Sequence, residues 1–493
     1  MNQETKLSRA RLDALQANLL SPEWRTPDIG IVHLGIGNFH RAHAALFTEE
    51  AMLARGGDWG ICGVTLQGDV SKRDALMAQD GLYSVVERGP DGVRVTVARA
   101  LREVLALPFD RTRLFELLSD ARVRIVSLTV TEKGYCRDMQ TGDVDFAHAG
   151  IAFDLAHPDT PGTVPGILTA ALKARRAAGV PPFTVLSCDN LAHNGAALKQ
   201  AVVSFAARLD GDLAQWIVTH VAFPSTMVDR IVPATSDADR AAARDALGMV
   251  DDVPVPCEPF RQWVIEDRFP TGRPAWDIVG AQLVEDVAPF EIAKLRMLNA
   301  THSTLAYLSM LAGFETISDA VGHAPLRQLI DAMMTQEIVP TLDVPASFDL
   351  LAYRDALLSR FANPALKHRC AQIAMDGSQK MPPRILSTIA ARLDAGQSIE
   401  RLALAVAAWF VFLRGRSDDG ATYAISDPLA QKLTQLASDA QSDERLIESM
   451  LEVREVFPES LAAAPALKDA LMRALQALNR SALSTMTSYA RLA

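Results

Sequence analysis

Four short runs of Val, Ile and Leu, each stopped by a glycine or a polar residue, constrain the first half of the chain. They read IGIVHLGIG (29–37), WGICGVTL (59–66), RIVSLTVT (124–131) and FTVLSCD (183–189). Unbroken apolar runs of this length belong to strands buried on both faces. Helical patterns such as HRAHAALFTEEAMLARG and GILTAALKARRAAG lie between them. This alternation predicts a parallel sheet covered by helices, an α/β unit of Rossmann-like type. One stretch departs from it. In YSVVERGPDGVRVTVARAL (83–101) a PDG turn joins two alternating runs, which predicts a hairpin inserted in the unit or lying at its edge.

From about residue 286 the pattern changes. LIDAMMTQEIVPTL, LLAYRDALLSRF, IERLALAVAAWFVFL, PLAQKLTQLAS and LKDALMRALQAL repeat apolar residues three and four apart, the period of helices packed on helices. With 493 residues the chain exceeds one ordinary core. The reading is therefore an N-terminal Rossmann-like domain over 1–285 and a mainly α-helical domain over 286–493.

The net charge of −10 argues against nucleic-acid and membrane-surface partners. The five cysteines are scattered without a CxxC pair, which fits a reducing compartment. The polar start MNQETKLSRARLDALQ has no apolar signal core, and no run of about 18 apolar residues occurs. A cytoplasmic protein with a small-molecule substrate is expected, as a monomer or a small homo-oligomer.

The first strand ends in HLGIGNFHRAH. A dinucleotide-binding turn wants G-x-G-x-x-G between strand and helix, the first glycine for the bend and the second for close approach of the pyrophosphate. Gly35 and Gly37 match, but His40 stands where the third glycine would be, so the fingerprint is incomplete. Asp69, after the second run, is a candidate for the ribose hydroxyls, which would favour NAD over NADP. It reads equally as a solvated loop aspartate, and Lys72 and Arg73 beside it keep NADP open.

Other polar groups gather where strands end, which is where doubly wound sheets bind ligands. Thr131, Glu132 and Lys133 follow the third run, and Asp189, Asn190 and Asn194 follow the fourth. Asn190 alone could be a helix N-cap. Asp229 and Arg230, in FPSTMVDRIVP, read as a paired charge or a ligand site.

KLRMLNATH (294–302) is apolar except for Lys294, Asn299 and His302. At 100° per residue, Lys294, Glu291, His302 and Asn299 fall at about 0°, 60°, 80° and 140°, one arc of the helix. A surface helix end with a snorkelling lysine would explain Lys294 alone. A catalytic reading explains the group. A buried lysine loses the solvation of its ammonium and can exchange a proton with a substrate oxygen, while an asparagine amide donates to a developing alkoxide. That suits hydride transfer at a secondary alcohol without a metal, and neither H-E-x-x-H nor clustered Cys/His spacing occurs.

With GIGNFHRAH, SLTVTEKGYC, SCDN, MVDRIVP, CEPFRQWVIED, KLRMLNATHS and RFANPALKHRCAQIAMDGSQK in this order, the chain resembles the polyol-specific long-chain dehydrogenase/reductase (mannitol dehydrogenase) family over nearly its whole length. The wording of VTEKGYC, FRQWVIED and QIAMDGSQK is most similar to its fructuronate reductase (D-mannonate oxidoreductase) branch. The resemblance implies an NAD site at Ile31, Gly35, Gly37, Asn38, Phe39, His40, Arg41, Asp69, Thr131 and Glu132. It implies Lys294 as general acid/base, Asn190 and Asn299 as the oxyanion pair, and His302 as a substrate hydroxyl contact. Glu291 would gate proton exchange between the lysine and solvent, and Asp229 and Lys380 would touch substrate. Lys133 stands where the mannitol branch has glycine, and Gln372 where it uses an arginine, so Lys133 is a candidate for a substrate carboxylate. The expected reaction interconverts D-fructuronate and D-mannonate. The alternatives are a mannitol or D-arabinitol 2-dehydrogenase and a dinucleotide-binding regulator without turnover.

Overall fold

The four apolar runs are strands, and a fifth that the sequence reading did not separate completes their sheet. In the computed structural model, which describes residues 5–20, 25–138, 141–346, 348–366 and 368–492, five parallel strands lie side by side. Across the sheet they run Leu101–Ala106, Gly60–Thr65, Ile29–Leu34, Ile125–Leu128 and Thr184–Ser187. The central three are buried almost throughout, so each is apolar on both faces. Val32, Leu34, Val126 and Leu128 pack on one side, with Ile167, Leu168 and Leu198 of the covering helices. Ile31, Ile61 and Ile125 pack on the other, with Phe47, Trp263 and Trp276.

Starting from Ile29–Leu34, the chain builds outward to one edge and then returns to lay Ile125–Leu128 on the opposite side. The order therefore reverses between Leu34 and Leu128, the position at which sheets of this kind bind ligands. Leu101–Ala106 was missed because it follows the hairpin without a turn residue and carries half-buried Arg102 and Glu103. The hairpin itself is present. Tyr83–Gly89 pairs antiparallel with Gly92–Ala98 and, on its other side, parallel with Val255–Cys257, in a separate three-stranded sheet. A second small sheet joins Thr226–Asp229, Gln262–Glu266 and Gln282–Val284.

The chain divides into two compact units, Met1–Ala288 and Pro289–Ala493, and the described strands all lie in the first. The second is helical. Its Glu400–Phe412 helix is buried almost all round and packs on Ala300–Ala312 and Pro465–Leu478. A buried helix start needs acceptors for its free amides. Glu337 supplies them, taking the Arg401 and Leu402 amides at 2.9 Å each. Among the described residues of this unit three helical turns are π turns: Lys294–Asn299, Met333–Ile338 and Pro382–Leu386, and the first packs against both of the others. Among the described residues no helix is long and apolar enough to cross a membrane.

Candidate functional site

In the first unit the strand-end turn is set by its backbone. Gly35 has φ +93°, and a Cβ there would run into the Thr129 carbonyl oxygen. Its amide donates to Val64 O at 2.9 Å, which fixes the bend. Gly37 caps the short helix Asn38–Ala42 from an extended conformation, and the space over it is open, the nearest atom being Gly35 O at 3.8 Å. The fold itself demands the first glycine, whereas the second leaves room for something to approach.

The side chains that follow turn inward. His40 is buried and stacks on His33 at 3.4 Å, and burial holds its pKa well below the usual histidine value. Arg41 is buried as well, donating to Val253 O and Asn38 Oδ1. Asn38 is half-buried and Phe39 stacks on His43. Ile31 is a core residue of the sheet. Of the residues expected at the cofactor, Ile31, His40 and Arg41 thus build the turn from beneath.

Asp69 is exposed and caps the helix Val70–Met77, accepting from the Lys72 amide at 3.2 Å and the Ser71 hydroxyl at 2.5 Å. Those bonds hold its carboxyl below the usual range. Arg73 is engaged by Asp74 and Asp110.

At the neighbouring strand end, Thr131 has φ +64° and ψ 169°, a conformation almost confined to glycine. Its amide donates to Asp189 Oδ1 at 2.8 Å, and the Tyr135 hydroxyl donates to Asp189 Oδ2 at 3.0 Å. Burial pushes Asp189 up to about 6 against those two bonds. This tie leaves Thr131, Glu132 and Lys133 exposed. Asn190 is exposed too, and it is not the cap of Asn194–Leu209, a position held by His193. Asn194 is buried between Asp189 O, Thr226 O and the Thr226 amide. Asp229 is buried at the end of its strand, while Arg230 pairs with Glu87, far along the chain.

In the second unit, Lys294 begins the first π turn and the residue is only 9% exposed. The π turn corrects the angular placement expected from a regular helix. Ala300 donates its amide to Leu295 O, five residues back. Residues five apart therefore come to lie one turn above each other. This spacing turns Asn299 towards the side of Lys294, closer than the roughly 140° of a regular helix, with His302 three residues further on. Glu291, half-buried, sits one turn before the lysine.

His302 is 8% exposed, with its ring against Phe361 at 4.7 Å and perpendicular to His368 at 5.3 Å. Burial first, then His368, Arg360, Arg384 and Lys380, hold its pKa well below the usual value, so it is neutral. Lys380 donates to Met375 O at 2.5 Å and Ile373 O at 3.2 Å, with the Asp376 carboxylate at 4.0 Å. Gln372 is exposed. Arg384, in the third π turn, donates from Nη1 to Asn299 O at 3.2 Å and Ser303 Oγ at 3.1 Å. The sequence reading passed over Arg384, Arg360 and His368. The available signal for Arg384 was a charge directly behind two prolines in an otherwise apolar turn.

Residues 29–278 match the mannitol dehydrogenase Rossmann domain, and residues 286–479 the mannitol dehydrogenase C-terminal domain. An uncharacterized oxidoreductase of Escherichia coli, YeiQ, is 46% identical over 90% of this chain and 91% of its own. The D-mannonate oxidoreductase of the same organism is 44% identical, over 87% and 89%. The solved ternary complex of Pseudomonas fluorescens mannitol 2-dehydrogenase with NAD and D-mannitol superposes with a TM-score of 0.83. It is 39% identical, covering 98% of this chain and 99% of that one. With both domain models matched in order and relatives of this identity along nearly its full length, the chain belongs to the mannitol dehydrogenase family of oxidoreductases.

Proposed function

We propose that this chain is an NAD-dependent secondary-alcohol dehydrogenase that interconverts D-fructuronate and D-mannonate, with Lys294 as its general acid/base. The observation that carries the reading is the row Lys294, Asn299 and His302 on one side of a π-turned helix, where the lysine is nearly shut off from water. General acid/base work at an alcohol asks for a titratable side chain held out of bulk water beside the reacting oxygen, the role assigned to this lysine. In the reductive direction Lys294 Nζ gives a proton to the ketone oxygen, and in the oxidative direction it takes the proton of the hydroxyl. Asn299 and Asn190 donate their amides to the oxygen as it gains charge. His302, neutral, meets an adjoining hydroxyl, and Glu291 passes the proton between Lys294 and solvent.

The turn at Gly35 and Gly37 suits a dinucleotide, because the space above Gly37 is open to a pyrophosphate. NAD(H), when bound, supplies or accepts the hydride. Asp69, whose Oδ1 caps the helix and whose Oδ2 lies 4.0 Å from the Lys72 ammonium, is assigned to the ribose hydroxyls, where its charge disfavours a 2′-phosphate. Asp229, Lys380 and Lys133 complete the proposed substrate contacts.

The sugar-acid substrate rests on the wording of the Lys133 segment and on the likeness to a D-mannonate oxidoreductase. A neutral polyol substrate is the second reading, favoured by the likeness to a mannitol-bound relative. NADH oxidation with fructuronate, tagaturonate, fructose and xylulose separates them. The expected result is a fructuronate kcat/KM at least tenfold above the neutral ketoses. Preference for fructose or xylulose would replace the reading with the second, and NADH binding without turnover of any of the four would point to a regulator.

A further inference from the structure

His40 stands where the dinucleotide fingerprint has its third glycine, and that glycine ordinarily lets the helix lie close on the strand before it. Here a pair of rings fills the gap. His40, on the helix Asn38–Ala42, stacks on His33 of the strand Ile29–Leu34, with ring centroids 3.4 Å apart and planes 14° from parallel. His33 is 0% exposed and His40 1%. Burial keeps both imidazoles neutral, holding His33 down to about 3 and His40 well below the usual histidine value. His33 lies beside Ser127 in the strand register, with its Nδ1 2.8 Å from Ser127 Oγ and its Nε2 2.9 Å from Thr129 Oγ1. On its other side the register partner is Gly63, where a Cβ would come within 2.9 Å of the Ile36 side chain. This layer of the sheet leaves room for the turn above it.

The directions of these bonds follow from the protons available. The Thr129 hydroxyl donates its one proton to Gly35 O at 2.9 Å, so towards His33 it can only accept. His33 therefore carries its proton on Nε2 and accepts at Nδ1 from the Ser127 hydroxyl. The result is a one-way chain from Ser127 through His33 and Thr129 to Gly35 O. That oxygen takes a second bond from the Gly37 amide at 2.7 Å, and the Ile36 amide ties the other edge of the same peptide to Val64 O at 3.1 Å. The peptide between Gly35 and Ile36 is held at both edges, while the space over Gly37 stays open. We propose that the stacked His33–His40 pair, acting through Thr129, positions the pyrophosphate turn and takes over the task of the third glycine. This rests on the reading of the turn as the NAD site. Both rings are too deeply buried to touch a ligand, so their effect on the cofactor passes through the turn. Among the described residues neither ring nitrogen of His40 has a hydrogen-bond partner, so what it contributes is the face of its ring.

The test uses the full chain and reads NADH binding by calorimetry, the NADH KM against kcat, and thermal stability. His40→Gly completes the G-x-G-x-x-G fingerprint, and a turn that needed only its glycines would bind NADH as well as before or better. The expected result is the reverse. The NADH Kd and KM should rise by about tenfold or more, with kcat at saturating NADH within about threefold of the wild type. His40→Phe keeps a flat ring over His33, and a cavity of about 10 Å³ beside it takes the larger edge, so most of the loss should be recovered. Should His40→Gly fail to fold, Thr129 carries the same test. Thr129→Val keeps the shape but removes the bond to Gly35 O and should weaken NADH by a similar factor, whereas Thr129→Ser restores the hydroxyl and the affinity. Phe205→Leu, in the separate cluster with Cys136, Val144 and Ile151, should lower stability and leave the NADH Kd unchanged. The proposal is overturned if His40→Gly or Thr129→Val binds NADH as the wild type does, whatever happens to the Tm. It is overturned as well if His40→Phe loses as much as His40→Gly, if Thr129→Ser loses as much as Thr129→Val, or if Phe205→Leu loses NADH affinity in step with its stability. A wild type that binds neither NADH nor NADPH overturns the cofactor reading itself, and the positioning role with it.

Discussion

The two units offer chemistry by opposite means. In the first, the polar side chains flagged near the strand ends are mostly consumed by the fold: Arg41 holds a carbonyl and Asn38, Arg230 holds Glu87, and Asn194 clips two segments together. What it presents is backbone, shaped by Gly35 at φ +93° and by Thr131 in a glycine-like conformation. In the second, the backbone is helical and the groups proposed for the chemistry, Lys294, Asn299 and His302, are side chains carried on one π-turned stretch. A sheet whose strands all end at one edge can position a ligand with loops alone. A helical bundle satisfies its own backbone, so a site in it must be made of side chains, and the π turn is what lines them up.

If the side chains of the second unit do the chemistry, removing one should strike turnover and spare cofactor affinity. Lys294→Ala is expected to lower kcat by about 10³–10⁴-fold, at the upper end of general acid/base effects. NADH affinity, followed by fluorescence, should stay within about twofold. A variant with near-normal kcat would break the comparison at its centre.

The converse holds for the backbone of the first unit. Gly35→Ala places a methyl against the Thr129 carbonyl, in a conformation that alanine resists. The expected cost is roughly 2–4 kcal/mol of stability, from strain and overpacking together. NADH affinity should fall by more than tenfold, read by calorimetry. Gly37→Ala has no such clash in the free chain, so it should fold normally and lose NADH affinity all the same. Equal stability losses in both variants would mean that the two glycines serve only the fold.

Much of this division was legible beforehand. The apolar runs identified four of the five sheet strands, and PDG identified the hairpin, because burial on both faces and turn chemistry are local signals. Leu101–Ala106 was not, since an edge strand exposes one side and carries charge there. The arc on the helix grouped Lys294, Asn299 and His302 but misplaced Asn299, since nothing in KLRMLNATH announces a hydrogen bond that skips a residue. Arg384 and His368 were out of reach for another reason. They join His302 through tertiary packing of segments about 65 to 80 residues apart in the chain, which no periodicity records.

Asp189 tests whether the strained strand end depends on charge. Its folded pKa is raised to about 6 by burial, so its proton is bound more tightly in the folded chain than in the unfolded one. The sign follows from linkage: the stabilising contribution is complete below about pH 4 and is lost as the pH rises through about 6. Relative to Asp189→Asn, which does not titrate, the wild type should therefore gain up to about 3 kcal/mol between pH 7 and pH 4. Chemical denaturation of both proteins across that range measures the difference. A gain in the opposite direction would mean that the Thr131 and Tyr135 hydrogen bonds outweigh burial, making this corner one that prefers its charge.

The smallest effect separates two roles of one residue. Asp69 caps Val70–Met77, and under the proposed function it also meets the ribose. Asp69→Ala should lose about 1 kcal/mol of stability with the cap. Asp69→Asn keeps an oxygen for the Lys72 amide and removes the charge, so its stability should stay within about 0.5 kcal/mol of the wild type, because asparagine caps nearly as well as aspartate. If the carboxylate faces the ribose, the asparagine variant should bind NADPH several-fold better relative to NADH, as the repulsion of the 2′-phosphate disappears. If the ratio does not move, Asp69 is a cap alone. The first unit would then discriminate between the two cofactors by the shape of its loops, extending the role of backbone there to the end of the ligand furthest from the chemistry.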